Sequence, residues 1–142
     1  MILPQVSLPK YKVELISTGK KHTFRPYTVK EEEILALARE SQNLEDITEA
    51  IINLINNCVE GVDARTLPIF DFEYLFLKLK TVSSGEKIEL IVPHQTETNC
   101  DHKQIIEIDL NNLKIKNNPE HTKDIKINDE IGVVMKYPSF LD

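Results

Sequence analysis

Ile69–Leu90, reading IFDFEYLFLKLKTVSSGEKIEL, decides the fold of this 142-residue chain. It holds four of the nine aromatic residues, Phe70, Phe72, Tyr74 and Phe76. Phe72, Leu75, Phe76 and Leu79 fall at the i, i+3, i+4, i+7 spacing of one helical face. Ile69, Tyr74 and Leu77 widen that face, so the predicted helix is covered on more than one side. Each buried aromatic removes roughly 150–250 Å² from water, which makes this helix the packing centre. Lys78 and Lys80 are expected in its last turn, where cations suit the helix dipole, and Gly85 stops it beyond Ser83-Ser84. Thr66 or Asp71 could cap its start, with Pro68 near the first turn. The alternation Lys87–Val92 then begins a strand, so the helix joins a helical front to a β-rich rear.

Upstream, residues 1–9 carry two prolines and read as an extended arm whose Ile2, Leu3, Val6 and Leu8 are sticky. Tyr11–Ile16 and Lys21–Arg25 alternate around Ser17-Thr18-Gly19-Lys20 and predict a β-hairpin. Pro26 ends it. Thr28 stands three residues before Glu31, a capping-box spacing, and predicts a helix over Val29–Glu40 whose buried face is Ile34, Leu35, Leu37 and Ala38. Asn43 caps a second helix, Leu44–Val59, with Ile47, Ala50, Ile51, Leu54, Ile55 and Cys58 on one stripe. The short connection predicts antiparallel packing of the two. After Gly85 the expected strands are Lys87–Val92, Gln104–Leu110, Leu113–Lys116 and Ile131–Lys136, with a short alternating piece at Ile125 and Ile127 and asparagine turns between. The fold class is α+β: an N-terminal hairpin, a three-helix core and a small C-terminal antiparallel sheet, in one domain over 1–142 (arm 1–9, hairpin and helices 10–85, β-rich part 86–142).

Charge and composition narrow the function. A net charge of −6 argues against broad nucleic-acid binding, which depends on neutralising phosphates. Lys10, Lys12, Lys20, Lys21 and Arg25 form a local basic cluster, read first as solvated cations on a hairpin. The two cysteines, Cys58 and Cys100, make no disulfide framework, and neither a signal-peptide core nor a membrane-length apolar run is present. A reducing cytoplasm, or a particle assembled there, is the expected setting.

His94, Cys100 and His102 gather in the loop 93–103 as H-x₅-C-x-H. A structural zinc site needs four ligands, usually in paired short spacings, so a polar loop with a stray cysteine is favoured over zinc and no cofactor is expected. His121, Asp101 or Cys58 would have to fold back to complete a site. No catalytic residues are assigned: there is no nucleophile elbow, no Gly-rich phosphate loop, and Asp71, Glu73, Glu107 and Asp109 sit where capping or solvent explains them. The apolar ends, Ile2, Leu3 and Val6 in the arm and Tyr137, Phe140 and Leu141 in the tail, are the expected partner contacts.

Several stretches together resemble the baseplate hub assembly proteins of T4-type bacteriophages. Phe24–Glu33 (FRPYTVKEEE) is similar to that family's R-P-[FY]-T-V-x-E-E start of its first helix. Leu67–Lys80 followed by Ser83-Ser84-Gly85-Glu86 is similar to its D-x-E-x-L-F-L-x-L-[RK]-x-x-S-x-G-E segment, and Gln104–Lys116 and Met135-Lys136-Tyr137-Pro138 continue the likeness. The resemblance implies an assembly or structural role in the tail baseplate through contacts with other hub proteins. It implies no catalytic residues, action in the host cytoplasm during assembly, and a place in the virion tail; an oligomer is compatible with it. Some relatives carry paired cysteines in the ribbon, which are missing here, and many extend further into a helical C-terminal region, so a fragment lacking part of the partner surface is expected. The alternative function is a zinc-stabilised nucleic-acid-binding adaptor built on the ribbon and the basic hairpin.

Overall fold

The computed structural model describes residues 7–93, 103–116 and 118–142. Strands β1 (Tyr11–Glu14) and β2 (Lys21–Phe24) pair antiparallel with Tyr11 opposite Phe24 and Glu14 opposite Lys21. Alternation sends Val13, Leu15 and Phe24 into the core. Gly19 closes the turn in the left-handed region, at φ 64°, donating to the Leu15 carbonyl at 2.7 Å. The hairpin is then seamed to the end of the second helix. Arg25 N–H donates to Cys58 O at 3.0 Å, and Glu60 N–H to Thr23 O at 2.9 Å.

Helix α1 spans Val29–Glu40 and α2 spans Leu44–Cys58, and the two pack against each other. The expected caps are in place: Glu31 reaches back to the Thr28 N–H at 2.8 Å, and Asn43 accepts from Glu45 N–H at 3.0 Å. Helix α1 departs from the expected face. It has no fully buried residue; Leu35 packs on the core, while Ile34 and Leu37 lie exposed. The inward row is Glu31, Leu35 and Ala38, spaced i, i+4, i+7, so only one of the two apolar rows can meet α2. Helix α2 buries Ala50, Ile52, Leu54, Ile55 and Cys58, gaining Ile52 over the expected stripe because both α1 and the third helix pack against it.

A 3-10 turn, Ala64–Thr66, leads to α3, Ile69–Ser84, which buries Asp71, Phe72, Leu75, Leu79 and Thr81. Pro68 takes the N-cap place, so neither expected cap holds it. Thr66 closes the preceding 3-10 turn on Asp63 O, and Asp71 is turned onto the hairpin instead. Phe76, expected on the buried face, is partly buried against the core.

The C-terminal antiparallel sheet is built as two separate ribbons, β3 (Lys87–Pro93) with β4 (Lys103–Asp109), and β5 (Asp124–Lys126) with β6 (Gly132–Val134). The expected strand Leu113–Lys116 is not one. Asp109 accepts from Asn111 N–H and Asn112 Nδ2, coiling Leu110–Asn112 into a 3-10 turn that deflects the chain from β4. Leu110 is buried against the end of α3, its N–H donating to Glu86 O at 2.7 Å, and so anchors the base of the first ribbon.

Candidate interaction surface

The sequence-derived candidates divide by location. Ile2, Leu3, Val6, His94, Cys100 and His102 lie outside the described residues. The tail is described, and it docks on the start of α3. Ile69 N–H donates to Pro138 O at 3.2 Å, Tyr137 meets Phe70 edge-on at 4.8 Å between centroids, and Phe140 meets Phe72 at 4.6 Å. Asp142 locks the tail's last turn, accepting from Ser139 N–H at 2.9 Å and Ser139 Oγ at 2.8 Å and pairing with Lys136. That lysine, together with the Ser139 donors, holds the Asp142 carboxyl down at about 2. The docked tail still shows much of its apolar surface: Tyr137 is 51% exposed, Phe140 40% and Leu141 66%.

A larger apolar surface, not singled out from the sequence, lies on the β3–β4 ribbon. Register and pleat put Ile88, Leu90 and Val92 on one face opposite Ile108, Ile106 and Gln104. Ile91 and Ile105 oppose each other on the other face, each 64% exposed. The alternation of these strands was visible, but alternation normally marks one buried face. Here Leu90, Val92 and Ile106 on the stripe face remain open as well. On the second ribbon Ile125, Val133 and Val134 are exposed too.

The basic hairpin is largely neutralised within the chain. Lys10 pairs with Glu60 at 2.6 Å, Lys21 with Glu14 at 3.9 Å, and Arg25 with Glu31 at 2.8 Å, so three of the five clustered cations face carboxylates rather than a phosphate-binding surface. Arg25 makes a two-armed contact with Glu31, which holds the Glu31 carboxyl down at about 2, aided by the Thr28 N–H and hydroxyl. Cys58 sits beside this pair; burial, then the Glu31 charge, pushes its thiol up to about 11, the opposite of an activated nucleophile. A cavity of about 650 Å³ opens between the hairpin turn, Pro68 and the second ribbon, lined by Ser17, Thr18, His121, Lys123, Lys136 and Tyr137 among others. Among the described residues no group of three or more His, Cys, Asp or Glu could hold a metal ion, and no helix is long and apolar enough to cross a membrane.

These surfaces lie on a chain whose sequence fits one family model, that of the T4 bacteriophage base plate protein, over residues 8–142. The chain belongs to that family. No curated protein and no solved structure matches it. The match covers the hairpin, the three helices and both ribbons, so every surface described above is part of the baseplate-protein unit. As a phage baseplate protein it falls among virion tail and tail-assembly proteins, and the resemblance seen in Phe24–Glu33 and Leu67–Glu86 is that of the family. The zinc-stabilised adaptor has no support from the match or from the paired hairpin cations.

Proposed function

We propose that this baseplate protein acts in assembly of the tail baseplate hub, through protein–protein contacts and without catalysis of its own. The observation that carries the reading is the open apolar surface of the rear half, with Leu90, Ile91, Val92, Ile105 and Ile106 on the ribbon and Leu141 on the tail. Leu90, Val92 and Ile106 share one face of the ribbon, and a monomer at work in water seldom leaves such a grouped apolar face uncovered. Fully burying one such side chain is worth roughly 1.5–3 kcal/mol, so a few of them in a partner's groove supply much of an interface. The arm residues Ile2, Leu3 and Val6 and the tail residues Tyr137, Phe140 and Leu141 are proposed as additional contacts with other hub proteins, made in the host cytoplasm as the baseplate forms.

The test is co-expression of the tagged chain with the neighbouring tail genes, followed by capture and identification of what is retained. Hub proteins should come down with the wild type and be lost with Leu90→Glu, whose side chain lies on the open stripe. Zinc quantified in the same sample addresses the loop bearing His94, Cys100 and His102. Capture of no tail protein, or equal capture by Leu90→Glu, would sink the reading.

A further inference from the structure

We infer that two copies of this chain join through the free edge of β4, turning two β3–β4 ribbons into one four-stranded antiparallel sheet. A lone two-stranded ribbon is marginal in water, and three or more strands give a sheet independent stability. The β3–β4 ribbon is a two-stranded sheet, with apolar side chains open on both faces.

The pairing pattern shows which edge is competent. Leu110 N–H donates to Glu86 O, in phase with the register that sets Ile88 opposite Ile108 and Leu90 opposite Ile106. Those are therefore the pairs that exchange hydrogen bonds, and Lys103, Ile105, Glu107 and Asp109 turn their N–H and C=O groups away from β3. Among the described residues no backbone hydrogen bond takes these outward groups except at the Asp109 carbonyl, which opens the 3-10 turn Leu110–Asn112. The outward positions of β3 are Lys87, Glu89, Ile91 and Pro93, and proline has no N–H to give. The β4 edge carries a donor at every outward position, with no proline and an unbroken register to its partner.

Side chains then choose the register. A two-fold axis at Ile106 pairs all of β4 and sets Lys103 opposite Asp109 of the second copy at both ends. Gln104 faces Ile108, Ile105 faces Glu107, and Ile106 faces its own equivalent. Sliding the copies by two residues so that Glu107 faces itself would set like charges opposite each other across the strand pair. Sliding two residues the other way sets Ile105 opposite itself and pairs only Lys103–Glu107, five of the seven residues of β4, leaving Ile108 and Asp109 without a partner strand. Glu107 is already held by Lys87 at 2.6 Å, so its charge is accommodated beside Ile105.

The surface balance is consistent with association. The chain exposes 11513 Å², against about 7,500 Å² expected for a compact 16.3-kDa monomer. The sixteen undescribed residues, at the ~160 Å² per residue of an open chain, cannot account for the whole surplus. The joined sheet would align the two apolar stripes into one face. The inference does not depend on the hub reading, because its test uses this protein alone.

Cysteine placement reads the register directly, in the full chain carrying Cys100→Ser. Ile106→Cys puts two thiols across a non-hydrogen-bonded pair, about 4.5 Å between Cα atoms and within disulfide reach. On mild oxidation it should run as a linked dimer on a non-reducing gel, whereas Ile105→Cys, facing Glu107, should stay unlinked. By sedimentation velocity the unmodified chain should show twice the monomer mass. Ile105→Pro removes an outward N–H while leaving the β3 hydrogen bonds intact, and should raise the dimer dissociation constant at least tenfold with unchanged circular dichroism. Monomer mass at every concentration, equal linking at both cysteine positions, or a dimer indifferent to Ile105→Pro would overturn the inference.

Discussion

Asp71 in the first turn of α3 accepts the backbone N–H of Ser17 at 3.2 Å, fifty-four positions away in sequence, and the N–H of Ile16 at 3.1 Å with its other oxygen. The carboxylate is wholly buried, and it fastens the hairpin turn to the central helix. Replacing it leaves two partly buried donors without acceptors, at about 1–3 kcal/mol each. Asp71→Ala should therefore destabilise by about 2–5 kcal/mol, seen as a lower urea midpoint with an unchanged slope. Asp71→Asn, which keeps one acceptor, should fall between. A midpoint unmoved in Asp71→Ala would show that the carboxylate does not hold the turn.

The Arg25–Glu31 pair makes stability pH-dependent in a defined window. Glu31 is lowered from 4.5 to about 2 by the Arg25 contact, so the stabilisation is fully present above pH 4.5 and is lost as pH falls through about 2. A pKa unit corresponds to about 1.4 kcal/mol, and with both side chains partly open to solvent the pair contributes about 2 kcal/mol at neutral pH. Urea titrations between pH 2 and 6 should show the loss. Glu31→Gln should be less stable at pH 6 and flatter across the window. Asp142 titrates in the same range, so Asp142→Asn serves as the control that retains the Glu31 slope.

How much of this was legible depended on whether a signal was local. The hairpin, the caps at Thr28 and Asn43, and the three helices follow from turn residues and spacing, which act over a few positions. The role of Asp71 was not legible, because a carboxylate in the first turn of a helix already has a local explanation and its actual donors lie in another element. The same holds for Leu113–Lys116, whose apolar alternation was outcompeted by the side chain of Asp109. At the candidate surface, the tail residues Tyr137, Phe140 and Leu141 were named for lacking a partner within the chain. Tyr137 and Phe140 nonetheless find theirs in Phe70 and Phe72, a long-range contact that no local signal announces. The ribbon stripe could not be named, because period-two alternation does not say whether a face will be covered.

Helix α1 offers a direct check of which apolar row is structural. Leu35 packs on the core, whereas Leu37 is 67% exposed. Leu35→Ala should cost about 1–3 kcal/mol, as for a partly buried large-to-small change. Leu37→Ala should stay within about 0.5 kcal/mol, since alanine is at least as good a helix former and little packing is lost. Equal losses at the two positions in chemical denaturation would mean that α1 is rotated relative to this arrangement.

The tail and the central helix should loosen together. Phe140 rests on Phe72, and Pro138 O accepts the Ile69 N–H, which no carbonyl within α3 can take because it is the helix's first residue. Phe140→Ala removes an aromatic pair worth about 0.5–1.5 kcal/mol beyond its buried area, and with it much of what keeps the 137–142 segment seated. Hydrogen exchange at Ile69 should then accelerate roughly tenfold, while Leu75 and Leu79 in the helix interior keep their protection. Acceleration confined to the tail itself, with Ile69 unchanged, would mean that the Pro138 contact stands without the ring.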